Sequence, residues 1–200
     1  MTDVEQKTLF PKPEMIVLRD LDRAEVEPLV FKILQVVEPF CEKAQIAGSI
    51  RRRKGGVNDI DLVIQPKPEC AAWLNIIKQI RSEFDAVTEK QGEKLAVMYI
   101  PFASKHGQGY VQVDLYRATR ATFGILLLVR TGSKEHNVHL CNVALIQGMR
   151  LLYSQGLVDK DGKVIAGKTE EEVFEALGLS FVVPQDREIQ QAAVEGGCPS

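Results

Sequence analysis

A chain of 200 residues, 45% hydrophobic and 26% charged, is long enough to bury a sizeable core and has the composition of an ordinary soluble globular protein. No run approaches the roughly 18 apolar residues of a membrane span, and the opening "MTDVEQKTLFPKPE" is too polar for a signal peptide, so a cytoplasmic, membrane-free monomer is expected. The net charge of -2 excludes a uniformly basic nucleic-acid-binding surface, yet the charge is uneven: 13 Lys/Arg face 8 Asp/Glu from Lys43 to Arg120, against 7 and 10 from Arg130 to the end.

Residues 1–20 carry Pro11 and Pro13, lack periodicity and read as a flexible lead-in. From Asp22, the positions Val26, Leu29, Val30, Ile33, Leu34, Val37 and Phe40 repeat at helical spacing. Asp22 and Glu25 are placed for a capping box, and Pro28 leaves the start of the helix open. A short strand "AQIAGS", a basic turn and a strand "NDIDLVI" follow. A helix is expected from about Glu69 to Phe84, then two strands, "LAVMYIPF" and "YVQVDLYR", joined by "ASKHGQG". The apolar helix through "ATFGILLLVR" ends at Thr131-Gly132, and another runs from Ser133 to a stop at Gly148. A hairpin turned at Asp161-Gly162 and a short helix capped by Thr169 and Glu172 close the chain. This order predicts an α+β fold with a mixed or antiparallel sheet and a mostly helical C-terminal unit.

The cysteines Cys41, Cys70, Cys141 and Cys198 show no CxxC spacing and read as free thiols. The histidines His106, His136 and His139 have no metal-ligand spacing. The chemistry concentrates in "GSIRRRKGGVNDIDLVI", residues 48–64. Alternation in a strand puts Asp59, Asp61 and Val63 on one face and Ile60, Leu62 and Ile64 in the core. Two carboxylates about 6 to 7 Å apart at their backbones repel unless a cation lies between them, and Mg²⁺ takes such oxygen ligands together with phosphate oxygens. Gly48 and Ser49 open a turn whose backbone N–H groups and hydroxyl suit a phosphate. One or two of Arg51 to Lys54 can reach that phosphate, whereas Arg53 and Lys54 suit a solvated face or a DNA backbone. In "YVQVDLY", Gln112, Asp114 and Tyr116 share the face opposite Val111, Val113 and Leu115, so Asp114 is a candidate third carboxylate. Three carboxylates around two metal ions suit in-line nucleotidyl transfer.

With these pieces in place, the chain resembles the catalytic core of a family X DNA polymerase, the DNA polymerase beta-like group of the nucleotidyltransferase fold. The matching elements are "GSIRRRKGGVNDIDLVI", "VQVDLY", "TGSKEHN" and the closing "EEEVFEALGLSFVVPQDRE", in that order across about residues 22 to 190. The resemblance implies a palm over 21–128 and a C-terminal nucleotide-binding subdomain over 129–200. It implies that Asp59 and Asp61 bind two Mg²⁺ ions (or Mn²⁺ in their place) and that Asp114 binds the catalytic ion and helps deprotonate a primer 3′-hydroxyl. Gly48, Ser49 and Arg52 would hold the triphosphate with Asn58 beside it, while Gly132 and Ser133 pass under the sugar and Lys134 and Asn137 lie toward the base. Arg51, Arg53, Lys54 and Lys105 would grip DNA, either primer-template or gapped. The implied activity is dNTP addition in gap-filling repair.

Five positions depart from the family pattern. Asn58 stands where glycine is usual, Gln112 and Cys141 where arginine is frequent, and Val129-Arg130 where an aromatic pair precedes TGS. Twenty residues of lead-in are too short for the lyase and helix-hairpin-helix modules of larger relatives, so neither deoxyribose-phosphate excision nor their grip on a downstream 5′-phosphate is expected of these 200 residues. Template-independent transfer, transfer to an RNA end or a small molecule, and an inactive DNA-end-binding module remain as alternatives.

Overall fold

In the computed structural model, which describes residues 15–69 and 71–188, the first half of the chain runs β1 (Leu21–Asp22), α1 (Arg23–Val37), β2 (Cys41–Ile46), α2 (Gly48–Arg51), β3 (Gly56–Val57), β4 (Asp59–Pro66) and α3 (Ala72–Phe84). It continues through β5 (Val87–Gln91), β6 (Leu95–Ser104), β7 (Gly107–Arg117), α4 (Phe123–Thr131) and α5 (Lys134–Ile146). The end is β8 (Arg150–Leu152), β9 (Gly156–Val158), β10 (Val164–Ala166) and α6 (Glu170–Ala176). The fold is α+β, with the main sheet ordered β2-β4-β7-β6-β5. The β4–β7 pair is parallel and its other pairings are antiparallel. Most of the expected lead-in, Cys70 and Cys198 lie outside the described residues. No described helix is long and apolar enough to cross a membrane.

Alternation along β4 and β7 divides the sheet into two unlike faces. Ile60, Leu62, Ile64, Val113 and Leu115 pack under α1 and α3, against Val30, Ile33, Ile76 and Ile80. Each fully buried aliphatic side chain of this kind contributes about 1.5 to 3 kcal/mol over its exposed state. On the opposite face Val63 and Tyr116 meet Phe123, Leu126 and Leu127 of α4. The other side of α4 offers Ile125 and Leu128 to a C-terminal cluster with Leu140, Leu157, Val173 and Phe174. A helix packed on two sides must be apolar nearly all round, which explains "FGILLLV".

Several boundaries differ from the sequence expectation. The strand expected through "AQIAGS" stops at Ile46, because Gly48 takes a left-handed φ of 59° and residues 48–51 close into a helical turn. The α3 helix begins at Ala72. Strand β5 escapes a hydrophobicity reading because "VTEKQ" is an edge strand with four of its five side chains exposed. The single hairpin expected near the end is a three-stranded sheet, ordered β10-β9-β8. The turn at Gly162 (φ 82°) is present as expected, and a second turn lies between β8 and β9. Asp22 caps α1 by accepting the Ala24 N–H at 3.0 Å, but Glu25 does not complete a capping box. Its carboxylate accepts the Lys105 N–H at 2.9 Å, because the β6–β7 loop lies across the helix start. Pro28 sits in the second turn of α1. Thr169 caps α6 by accepting the Glu172 N–H at 3.1 Å, as expected, while the Glu172 carboxylate accepts the Lys168 N–H at 3.1 Å and not that of Thr169.

Candidate active site

The parallel pairing of β4 with β7 sets Asp61 directly beside Asp114 and Asp59 beside Gln112. Adjacent strands lie about 4.8 Å apart, so three half-buried carboxylates share one small area of sheet. Burial, followed by the charges of Asp59 and Asp114, pushes the Asp61 carboxyl up to about 7. Asp59 is raised chiefly by burial and then by Asp114, while Arg19 and Arg52 pull it down. Gln112 Nε2 donates to Asp114 Oδ1 at 2.9 Å, and the Tyr116 hydroxyl donates to Oδ2 at 3.0 Å. Burial and the neighbouring carboxylates hold the Tyr116 phenol far above its usual range, so it remains a donor. Among the described residues no three Asp, Glu, His or Cys side chains are already drawn into a ligand cluster.

Beside the acids, Ala47 N–H donates to Asp61 O at 2.8 Å and aligns the 48–54 turn with β4. Gly48 is required twice over. Its φ is left-handed, and a Cβ there would meet Asp61 Oδ2 at 2.0 Å. The Ser49 hydroxyl oxygen is buried without a hydrogen-bond partner, an arrangement that normally marks a ligand or water. Arg52 Nη1 bonds the Thr131 carbonyl, and its Nε pairs with Glu188 at 2.7 Å. Lys54 Nζ reaches the same carboxylate at 2.9 Å.

A cleft of about 750 Å³ separates this turn from α4 and α5. One wall carries Gly48, Ser49, Arg52, Lys54, Asn58, Asp59 and Asp61, and the other carries Val129, Gly132, Lys134, Asn137 and Cys141. The helix face expected from the spacing of Lys134, Asn137 and Cys141 therefore lines the cleft. Asn137 Nδ2 donates to the Val129 carbonyl at 2.8 Å, leaving its Oδ1 buried without a partner. Asn58 Oδ1 accepts the Asp20 N–H at 2.9 Å. Ser133 caps α5, accepting the His136 N–H at 3.2 Å and donating to the Arg187 carbonyl at 3.0 Å, and so is committed to packing.

The basic residues expected to face DNA separate. Arg51 is engaged within the fold, donating to Thr131 Oγ1 at 2.7 Å and Glu170 Oε1 at 2.9 Å. Lys105 pairs with Asp22 at 3.1 Å, at the start of α1. Arg53 is exposed with a left-handed φ of 60°. Only Lys54 of the four borders the cleft. Sequence reasoning passed over Arg19, which donates to Gln112 Oε1 at 3.4 Å and to the Asn58 carbonyl at 3.1 Å. It brings a positive charge to the position where Gln112 itself has none. It also passed over Arg130, whose guanidinium lies 4.1 Å from the Tyr116 ring centroid. No local motif distinguishes Arg19; Arg130 stood out only as part of the pair before TGS, with no role assigned, and the alternation that singled out Asp114 was the available signal for Tyr116.

Residues 126–188 match the profile of the DNA polymerase beta thumb. Over 190 residues, 84% of this chain, the sequence is 27% identical to DNA polymerase lambda of Rattus norvegicus. The chain spans 32% of that relative's length.

Proposed function

We propose that this chain, a family X polymerase-like protein, is a nucleotidyltransferase that adds nucleotides to a primer 3′-hydroxyl, with short-gap filling in DNA repair as its task. The observation that carries the reading is the register of β4 with β7, which sets Asp59, Asp61 and Asp114 on one face next to a cleft lined by Ser49 and Arg52.

The residues present fit a pair of divalent cations. All three ligand candidates are oxygen donors, the set preferred by Mg²⁺ and Mn²⁺. Gly48 leaves room against Asp61 that a Cβ would fill. Ions held there would acidify the attacking hydroxyl and offset the charge of the departing pyrophosphate. Asp59 and Asp61 would hold both ions, with Asp114 at the one nearer the 3′-hydroxyl.

The unpartnered Ser49 hydroxyl would donate to a phosphate oxygen, and Arg52 would exchange Glu188 for the triphosphate. The unpartnered Oδ1 of Asn137 would accept a hydrogen bond from an incoming nucleotide. Gly132 lines the cleft with a left-handed φ of 73° and would pass its backbone close to the sugar once Arg52, whose Nη1 lies 3.2 Å from where a Cβ would stand, moves to the triphosphate. DNA and dNTP are the proposed partners, and the proposed working form is a monomer.

The test is extension of a labelled primer with and without template, using single dNTPs or rNTPs and Mg²⁺ or Mn²⁺. Templated, metal-dependent extension is expected. Asp59→Ala, Asp61→Ala and Asp114→Ala should each abolish it while circular dichroism and melting stay those of a folded protein. A folded variant of any of the three that extends at the wild-type rate would overturn the reading. Extension equal with and without template would replace it by template-independent transfer.

A further inference from the structure

Tyr116 lies two residues beyond Asp114 on β7, on the same face, and is only 7% exposed. A buried phenol needs a polar partner, and here the partner is Asp114 Oδ2 at 3.0 Å. Gln112, two residues before Asp114, takes the other oxygen at 2.9 Å. The carboxylate is thus held from both flanks along its own strand, one donor to each oxygen. Without those donors, repulsion from Asp61 in the neighbouring register position would turn it away. The ring of Tyr116 is fixed in turn. The Arg130 guanidinium covers it at 4.1 Å and stands 5.8 Å from the Tyr153 ring. The cation is attracted to the aromatic face, and Phe123, Leu126 and Leu127 of α4 share a buried cluster with the ring, so α4 limits movement of the side chain that carries the hydroxyl.

We infer that Tyr116 is a positioning residue: its hydroxyl orients Asp114 toward the cation site shared with Asp59 and Asp61, and Arg130 locks Tyr116 in place. The inference rests on the metal-dependent reading above. It gives an arginine from the C-terminal half of the chain a hold on a candidate metal ligand in the sheet.

The test is Mn²⁺ binding to the full chain, followed by the electron paramagnetic resonance signal of free Mn²⁺, for wild type, Tyr116→Phe, Asp114→Asn and the double variant. Phenylalanine keeps the ring and its contact with Arg130 and removes only the hydroxyl. Loss of a hydrogen-bond partner of a metal ligand weakens metal affinity by about 10- to 100-fold. Because Gln112 still holds one oxygen, Tyr116→Phe should weaken Mn²⁺ by about 10-fold, the lower end of that range. The metal-free melting temperature should stay close to that of wild type. Added to Asp114→Asn, Tyr116→Phe should cause no further loss. In extension assays it should lower kcat and leave the KM for dNTP unchanged. Wild-type Mn²⁺ affinity in Tyr116→Phe, or an equal loss in the Asp114→Asn background, would overturn the positioning role alone. A wild-type chain that binds no Mn²⁺ would overturn the metal-dependent reading and this inference together.

Discussion

Arg51 and Glu170, 119 positions apart in the chain, form a two-pronged ion pair that fastens the turn beside the candidate active site to the first turn of α6. Arg187 closes on the same carboxylate at 2.9 Å. The side chains of Glu170 and Arg187 are 4% and 0% exposed. Removing one member of a buried ion group leaves an uncompensated charge and costs about 3 to 5 kcal/mol. Glu170→Ala strands Arg187 and should lose that much stability in urea denaturation. Arg51→Ala should lose less, because Glu170 keeps Arg187 and the Arg51 side chain is 21% exposed. A Glu170→Ala loss of about 1 kcal/mol or less, the range of surface pairs, would show that the cluster is not a stabilising tie.

The pH dependence of stability should carry two opposite contributions. Burial alone would raise the Glu170 carboxyl, but the hydrogen bond from Arg51 and the charge of Arg187 outweigh it and hold it below its ordinary 4.5. Its contribution is therefore present above that value and lost as pH falls through the folded value. Asp61 is the reverse. Its carboxyl rises from 3.8 to about 7, so within that window the folded chain holds a proton that the unfolded chain has released. Metal-free stability should decline as pH rises through the window. Denaturation midpoints measured in chelator should show Glu170→Gln flattening the acid limb and Asp61→Asn reducing the decline toward neutral pH, with the raised Asp59 carboxyl accounting for what remains.

Gly48→Ala should separate function from folding. The left-handed backbone costs a residue with a Cβ about 1 to 2 kcal/mol. The larger effect is local, because the new methyl would displace the Asp61 carboxylate. Extension and Mn²⁺ binding should both fall severely while the protein remains folded. Full activity in Gly48→Ala would place Asp61 outside the working site.

Sugar choice should depend on Val129. Its side chain packs beside the C-terminal cluster, borders the cleft, and is small and branched where an aromatic ring would wall off the 2′ side of a nucleotide. One missing apolar or steric contact alters discrimination by about 1 to 3 kcal/mol, roughly 10- to 200-fold. Ribonucleotides should enter measurably, more so with Mn²⁺, with dNTPs still preferred. Val129→Tyr should raise the dNTP/rNTP ratio of kcat/KM, and an unchanged ratio in a folded variant would confine Val129 to packing.

Period-two alternation by itself identified the acidic face of β4 and of β7, because a strand presents every second side chain to the same side whatever surrounds it. It also separated Asp59, Asp61 and Val63 from the buried Ile60, Leu62 and Ile64. The helical spacing of Lys134, Asn137 and Cys141 was legible for the same reason, and the cap at Thr169 because it spans four residues. The pairing of Asp61 with Asp114 was decided only in three dimensions, since register depends on how two distant strands meet. The fates of Arg51, Arg52, Arg53, Lys54 and Lys105 were likewise hidden. Their charges are alike in sequence, and what tells them apart is the distant carboxylate four of them meet, Glu170 for Arg51, Glu188 for Arg52 and Lys54, Asp22 for Lys105, while Arg53 stays exposed. Local periodicity reports what a residue's own backbone dictates, whereas ion pairs and orphaned hydroxyls such as Ser49 are made by neighbours that only the folded chain brings together.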